Sequence, residues 1–327
     1  MNSSRPKPKG LRGTPRTVLA ISVAAAIGAA SAGIAQADTA GHGQDRATAG
    51  QSAHSANGKR HPFGLGALPS RPQGRNAVPS GSVESRLEAL SPYAKAGAAK
   101  PKKASKPLPA AVDLSKFAAT PGNQGDVNSC VAWAIDYSAY SILEGVQKIS
   151  GGPQAPMYTY AQIVKGRNDP TAAADHFRIA TKQGVDSRKH YKPGDFNYTT
   201  QPSKSERRNA ANWKLSGYTT LRTGSRIQND VKSALSKGQP VVIMIPVRND
   251  LYYLTPKEAA SYKYYPARDS GYAGNHMVTI IGYNSKGVRV ENSWGKGWGD
   301  RGFVNFSWKY LQNQVVEADA VGKIVKR

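Results

Sequence analysis

The chain of 327 residues contains one cysteine, Cys130. No disulfide can form within it, so the stapled scaffolds common among exported proteins are excluded. A lone thiol on an exported chain is a liability unless it does chemistry; its other role is that of a small buried hydrophobe. Long apolar runs are also missing. The longest, residues 18–30, falls well short of the roughly 20 residues that span a bilayer, so no transmembrane anchor is expected. Acidic residues are few: 45 Lys and Arg face 21 Asp and Glu, a net charge of +24. Such an excess suits nucleic acid or an anionic wall or membrane surface. The aromatic-interleaved basic stripe of a nucleic-acid reader is absent, so a solvated basic surface is expected and no nucleic-acid partner.

Residues 1–16 are polar and carry Arg5, Lys7, Lys9, Arg12 and Arg16; the apolar run and Ala35-Gln36-Ala37 follow. A basic start, a short apolar run and an A-x-A site predict a secretory signal peptide over residues 1–37. With no adjacent Arg-Arg pair before the run, the general export route is expected. Residues 38–107 are rich in Gly, Ala, Ser, Pro, Lys and Arg, with Phe63 and Tyr93 as their aromatic residues. Such a stretch buries too little apolar surface to offset the entropy of ordering. It is expected to be a disordered pro-segment or wall-facing spacer, with one brief helix over Val83–Leu90. The folded domain is placed at residues 108–327.

Within that domain, residues 129–147 read as a helix with Asn128 or Ser129 as its cap. Residues 173–182 and 227–236 read as two more, stopped by Gly184 and Gly238. The period then changes. Residues 241–247 form a β-branched apolar run, and 276–283, 288–292 and 302–307 follow as strands. A helical half followed by an antiparallel half is an α+β layout.

A thiol becomes a nucleophile as thiolate. Cys130 sits at a predicted helix start, where free N–H groups and the dipole favour an anion. It also needs a base. Of six histidines, His42, His54 and His61 fall in the spacer, and His176 and His190 read as surface residues in charged stretches. His276 opens a strand after the glycine-bearing loop 271–274, where a scaffold presents functional side chains, although a core histidine is the equal alternative. Asn292, at the end of the next strand, can orient its ring. Trp294 can shield that contact. The backbone N–H of Cys130 and the side chain of Gln124 can receive an oxyanion.

Asn123-Gln124-Gly125, Ser129-Cys130 and Ala132-Trp133-Ala134 together resemble the active-site block of papain-like cysteine peptidases. Asn275-His276-Met277-Val278 resembles the histidine block, and Glu291-Asn292-Ser293-Trp294-Gly295 the asparagine block. Residues 108–113 look like the family's mature start. His276 lies 146 residues after Cys130 and Asn292 a further 16, in keeping with the family. The resemblance implies a helical lobe and an antiparallel β-barrel lobe with the cleft between them. It implies Cys130 as nucleophile, His276 as base and acid, Asn292 as orienter, Gln124 as oxyanion donor and Trp294 lining the leaving-group side. With the expected signal peptide, the reading is a secreted protein, expected to be a monomer, acting on protein or peptide substrates, with no cofactor and no metal. Basic residues give it a possible wall contact. The sequence departs from the family at Val127, Asn128 and Val131. No Gly-Gly substrate strip is recognisable between Gly166 and Ala174, and the long helical inhibitory pro-region is missing. A catalytically idle binding relative and a cell-wall peptide hydrolase stand as alternatives.

Overall fold

The structure is a computed structural model that describes residues 62–70, 83–93 and 107–325. The expected signal peptide and the remainder of the spacer lie outside the described residues.

The nucleophile's helix runs over residues 130–147, as its buried, mostly apolar sequence predicts, but its middle, Trp133–Ala139, is wound as a π-helix. The expected cap chemistry does not hold. Ser129 occupies the cap position without a side-chain hydrogen bond. Asn128 instead ties two loops together, its side chain donating to the Asn168 carbonyl at 2.7 Å. Around this helix pack Pro156–Val164 and Ala173–Lys182. Their apolar faces close one core with Ile135, Leu143, Tyr160 and Phe177.

The second lobe is an antiparallel sheet ordered Tyr218–Thr220, Glu317–Val321, Val241–Arg248, Tyr272–Tyr283, Gly287–Glu291 and Phe303–Ser307, with Val112–Asp113 paired to the end of Tyr272–Tyr283. The α+β class stands, but the expected barrel is an open sheet: its two outer strands pair on one side only. Helix Ile227–Ser236 covers one face, and the strands' β-branched residues fill a second core with Val241, Ile243, Ile280 and Val290. Val241–Arg248 and Tyr272–Tyr283 form the longest pairing, with Ile245 opposite His276. Thus His276 does not open a strand. Most of the expected loop 271–274, together with Asn275, already pairs with 246–248 across a bulge. The histidine lies inside the ladder and is held by it.

The spacer is ordered in two places. Val83–Leu90 is helical as expected, and it docks on the sheet lobe through Leu87, fully buried, and an ion pair of Glu84 with Lys237 at 2.5 Å. Residues 62–70, expected to be disordered, run through the cleft as an extended strap. Leu65 and Ala67 are both buried at 4 % exposure. These two apolar side chains, one on each lobe's core, supply the burial that composition averaged over the whole spacer conceals.

Candidate active site

Cys130 is fully buried at the start of its helix, and its Sγ accepts the N–H of Met277 at 3.4 Å. Met277 follows His276, so this contact joins the nucleophile's helix to the histidine strand. His276 is also fully buried. Its Nε2 lies 2.7 Å from Asn292 Oδ1, which accepts the Ser293 N–H at 2.7 Å as well. A backbone N–H can only donate, so the shared Asn292 atom is the oxygen, and the ring must carry its proton on Nε2. That leaves the Nδ1 lone pair, which has no hydrogen-bond partner among the described residues, to take a proton from a thiol. Trp294 stacks on the imidazole at 4.6 Å between centroids and 24° between planes, keeping water from the His–Asn contact.

Gln124 is fixed from both sides. Its Oε1 accepts the Ser293 hydroxyl at 2.6 Å, and its backbone N–H donates to the Ser293 carbonyl at 2.9 Å. Its Nε2 donates to Val127 O at 2.8 Å and to Leu65 O at 3.2 Å. The Leu65 carbonyl of the strap is thus in hydrogen-bond contact with the Gln124 side chain. The strap is held by backbone bonds to both lobes. Gly64 N donates to Gly125 O at 2.7 Å, Gly66 N to Asn275 O at 3.4 Å, and Thr171 N to Gly66 O at 2.8 Å. Trp294 Nε1 donates to Gly64 O at 3.2 Å, and Phe63 stacks on its indole at 5.3 Å. Ala67–Leu68 pairs in parallel with Thr171–Ala172. At the far end Ser70 gives both its N–H and its hydroxyl to Glu317 at 2.8 and 2.7 Å.

This occlusion changes the electrostatics. Burial pushes the Cys130 thiol up to about 12 and pulls His276 down to about 4, the latter against its hydrogen bond to Asn292. With the strap in place burial favours the neutral form of both groups, against the thiolate expected from the helix start.

The five residues singled out in the sequence converge here: Cys130, His276, Asn292, Gln124 and Trp294. Sequence reasoning missed Ser293, Asn275, Thr171 and the strap. Ser293 lay in the Asn-Ser-Trp-Gly run and was legible only as part of it. His176, expected at the surface, is fully buried. His190, the other expected surface histidine, is partly exposed and hydrogen-bonds the buried Asp186 at 2.8 Å. Among the described residues no cluster of three or more His, Cys, Asp or Glu could hold a metal, and no helix is long and apolar enough to cross a membrane.

A helical lobe and an antiparallel lobe that bring a helix-start cysteine to a ring-held histidine define a two-lobed thiol hydrolase architecture. The family model described as "Papain family cysteine protease" matches residues 108–324, and the chain belongs to that family. Among solved structures it is similar to xylellain, a cysteine protease from Xylella fastidiosa, with a TM-score of 0.60 at 20% identity, covering 82% of this chain and 98% of that one. It is also similar to procathepsin B S9 from Trypanosoma congolense, with a TM-score of 0.56 at 15% identity, covering 80% and 87%. At these identities the likeness is one of fold. Curated relatives include cysteine proteinase 2 of Entamoeba histolytica, 30% identical over 35% of this chain and 36% of that protein. A cathepsin L-like proteinase of Fasciola hepatica is 29% identical over 29% and 28%. The chain thus spans about a third of the length of these two curated relatives.

Proposed function

We propose that the protein is an exported thiol peptidase, with its peptidase domain at residues 108–327, kept latent by residues 62–70. The observation that carries this is a polypeptide already in the site: the Leu65 carbonyl points at Gln124 Nε2 beside Cys130, and its flanking backbone pairs with both lobes. A cleft that receives extended backbone in this way suits protein and peptide substrates.

Chemistry begins once the strap leaves and water reaches the pair. Cys130 passes its proton to His276 Nδ1, and Asn292 holds the ring in that orientation. The thiolate attacks the scissile carbonyl carbon, and the carbonyl electron pair moves onto oxygen. Gln124 Nε2 and the Cys130 N–H receive that charge. Collapse breaks the C–N bond as His276 returns its proton to the leaving amine. Water, deprotonated by His276, then cleaves the thioester, releasing the acid and restoring the thiol. Trp294 walls the leaving-group side and covers Asn292. No step calls for a cofactor or metal.

Export is supported by the basic start, short apolar run and A-x-A site; N-terminal sequencing of protein from culture medium should begin at Asp38 if residues 1–37 are removed. The basic charge fits attachment to an anionic wall, and a monomer is expected. The deciding experiment treats the protein, before and after the strap is displaced, with an epoxide thiol inactivator and a general peptide substrate, beside Cys130→Ala. Labelling at Cys130 and turnover that vanishes in the variant support a peptidase. A folded sample with neither is an idle binding protein, and turnover of wall peptides alone makes it a wall hydrolase.

A further inference from the structure

Thr171–Ala172 is a strand of two residues, and among the described residues its only strand partner is the strap. When the strap leaves, no neighbouring strand holds it, yet Thr171 N is the donor that meets the peptide backbone. Its support comes from behind. Thr171 Oγ1 lies 2.9 Å from His176 Nε2, and His176 Nδ1 lies 2.7 Å from Thr159 Oγ1. The Thr159 hydroxyl donates in turn to Asp136 Oδ2. All four side chains are buried.

The direction of this chain follows from what each group can do. Burial pushes the Asp136 carboxyl up, and its hydrogen bonds from His176 and Thr159 oppose that; in its carboxylate form it only accepts, so Thr159 gives it its hydroxyl proton. The Thr159 oxygen then accepts from His176 Nδ1–H. His176 Nε2 keeps its lone pair for the Thr171 hydroxyl. A neutral imidazole satisfies every link, and each hydrogen points toward Asp136. Asp136 lies on the nucleophile's helix, six residues after Cys130. The relay therefore ties the helix that carries the thiol to the strand that receives a peptide. None of its four members touches the reacting atoms, and the proposed reaction does not use them.

We propose that His176, oriented by Asp136 through Thr159, is a positioning residue that holds Thr171 with its N–H presented to an extended peptide in the cleft. The proposal rests on the peptidase reading only in taking that peptide to be substrate. The missing Gly-Gly strip is thereby replaced by a strand whose side chain is anchored.

The test uses the full-length chain carrying Cys130→Ala and measures amide-exchange protection. Thr171→Val and His176→Phe should lower protection of the residue-171 amide about tenfold, the scale of one lost hydrogen bond. The amides of Ile243 and Val278 in the central sheet should stay within about twofold, and Thr171→Ser, which keeps the hydroxyl, should restore protection. Unchanged protection at 171, or an equal fall in the central sheet, overturns the proposal. A second arm uses the full chain with an intact thiol and Gly66→Ala to displace the strap. There His176→Phe should raise KM about tenfold for a blocked tetrapeptide substrate, leave kcat within about twofold, and leave a substrate with a one-residue acyl group unchanged. Equal losses on both substrates overturn it. A chain that shows the exchange pattern but turns over neither substrate refutes the peptidase reading and leaves the positioning role standing.

Discussion

Gly66→Ala should open the cleft without touching any residue of the catalytic set. Gly66 has φ near +120°, a conformation that L side chains rarely adopt. A Cβ there would meet the Asn128 carbonyl oxygen at 2.2 Å and its carbon at 2.6 Å. Both are backbone atoms, fixed beside the nucleophile's helix, so the strap must yield. Overpacking of this kind costs ~1–3 kcal/mol, and the backbone conformation adds a similar ~1–3 kcal/mol. The open population should therefore rise between about 30-fold and 10⁴-fold. Alkylation of Cys130 by iodoacetamide reads that population, since the thiol is fully buried when the strap is seated. Gly194→Ala is the control: it shares a positive φ, near +85°, but nothing lies within 4 Å of its Cβ. Gly66→Ala should accelerate alkylation at least tenfold over both wild type and the control. A folded Gly66→Ala protein alkylated at the wild-type rate would refute the argument that Gly66 is needed for the strap to fit.

With the cleft opened, Gln124→Ala should lower turnover by about 10²–10³ while Cys130 alkylation holds steady, since an oxyanion donor acts in the transition state; an unchanged kcat removes Gln124 from the mechanism. The latent chain should show slow alkylation that climbs about tenfold per pH unit between about pH 5 and 9, because only the thiolate reacts and its thiol sits up at about 12. Gly66→Ala should add a rise at lower pH as the pair ionises, and identical profiles would contradict this. Burial raises Glu291 to about 8 from an ordinary 4.5. The unfolded chain therefore releases this proton first, and stability falls as pH climbs from about 4.5 to about 8, by up to a few kcal/mol. Glu291→Gln should flatten that loss, raising Tm over wild type at pH 8 but not at pH 4.5; parallel Tm curves count against it. Asn292→Ala leaves His276 free to turn and should cut kcat at least tenfold, with alkylation of the opened chain slowed in step.

Much of the site was legible because it is written in short blocks. The nucleophile at a helix start, the histidine on a long β-branched strand and the asparagine before Ser293-Trp294 each sit where local pattern places them. Helices Ala173–Lys182 and Ile227–Ser236 match their periodicity to the residue. What failed was long-range. His176 stands in a charged stretch, and nothing local says that Thr159 and Thr171 fold onto both of its ring nitrogens. Residues 272–274 look like loop until Val247 and Arg248 supply the opposing strand. The strap failed for a further reason. Phe63-Gly64-Leu65-Gly66-Ala67 has too little apolar surface to fold by itself, and its order is borrowed from the cleft that it fills.

The two glycines that let the strap thread past Val127 and Asn128 also make it costly to order, because glycine loses the most backbone freedom on binding. As a separate peptide it would be a weak ligand. Its occupancy is sustained by a tether: residues 71–82 join it to helix Val83–Leu90, which is itself docked on the sheet lobe. A covalent connection of a dozen residues makes the strap's binding intramolecular, at an effective concentration on the order of millimolar. One cut between the strap and that helix leaves every contact in the cleft intact yet turns a standing occupant into a dissociable one, diluted by the whole surrounding volume. On the proposed reading, latency would be a property of covalent continuity more than of the strength of any contact the strap makes.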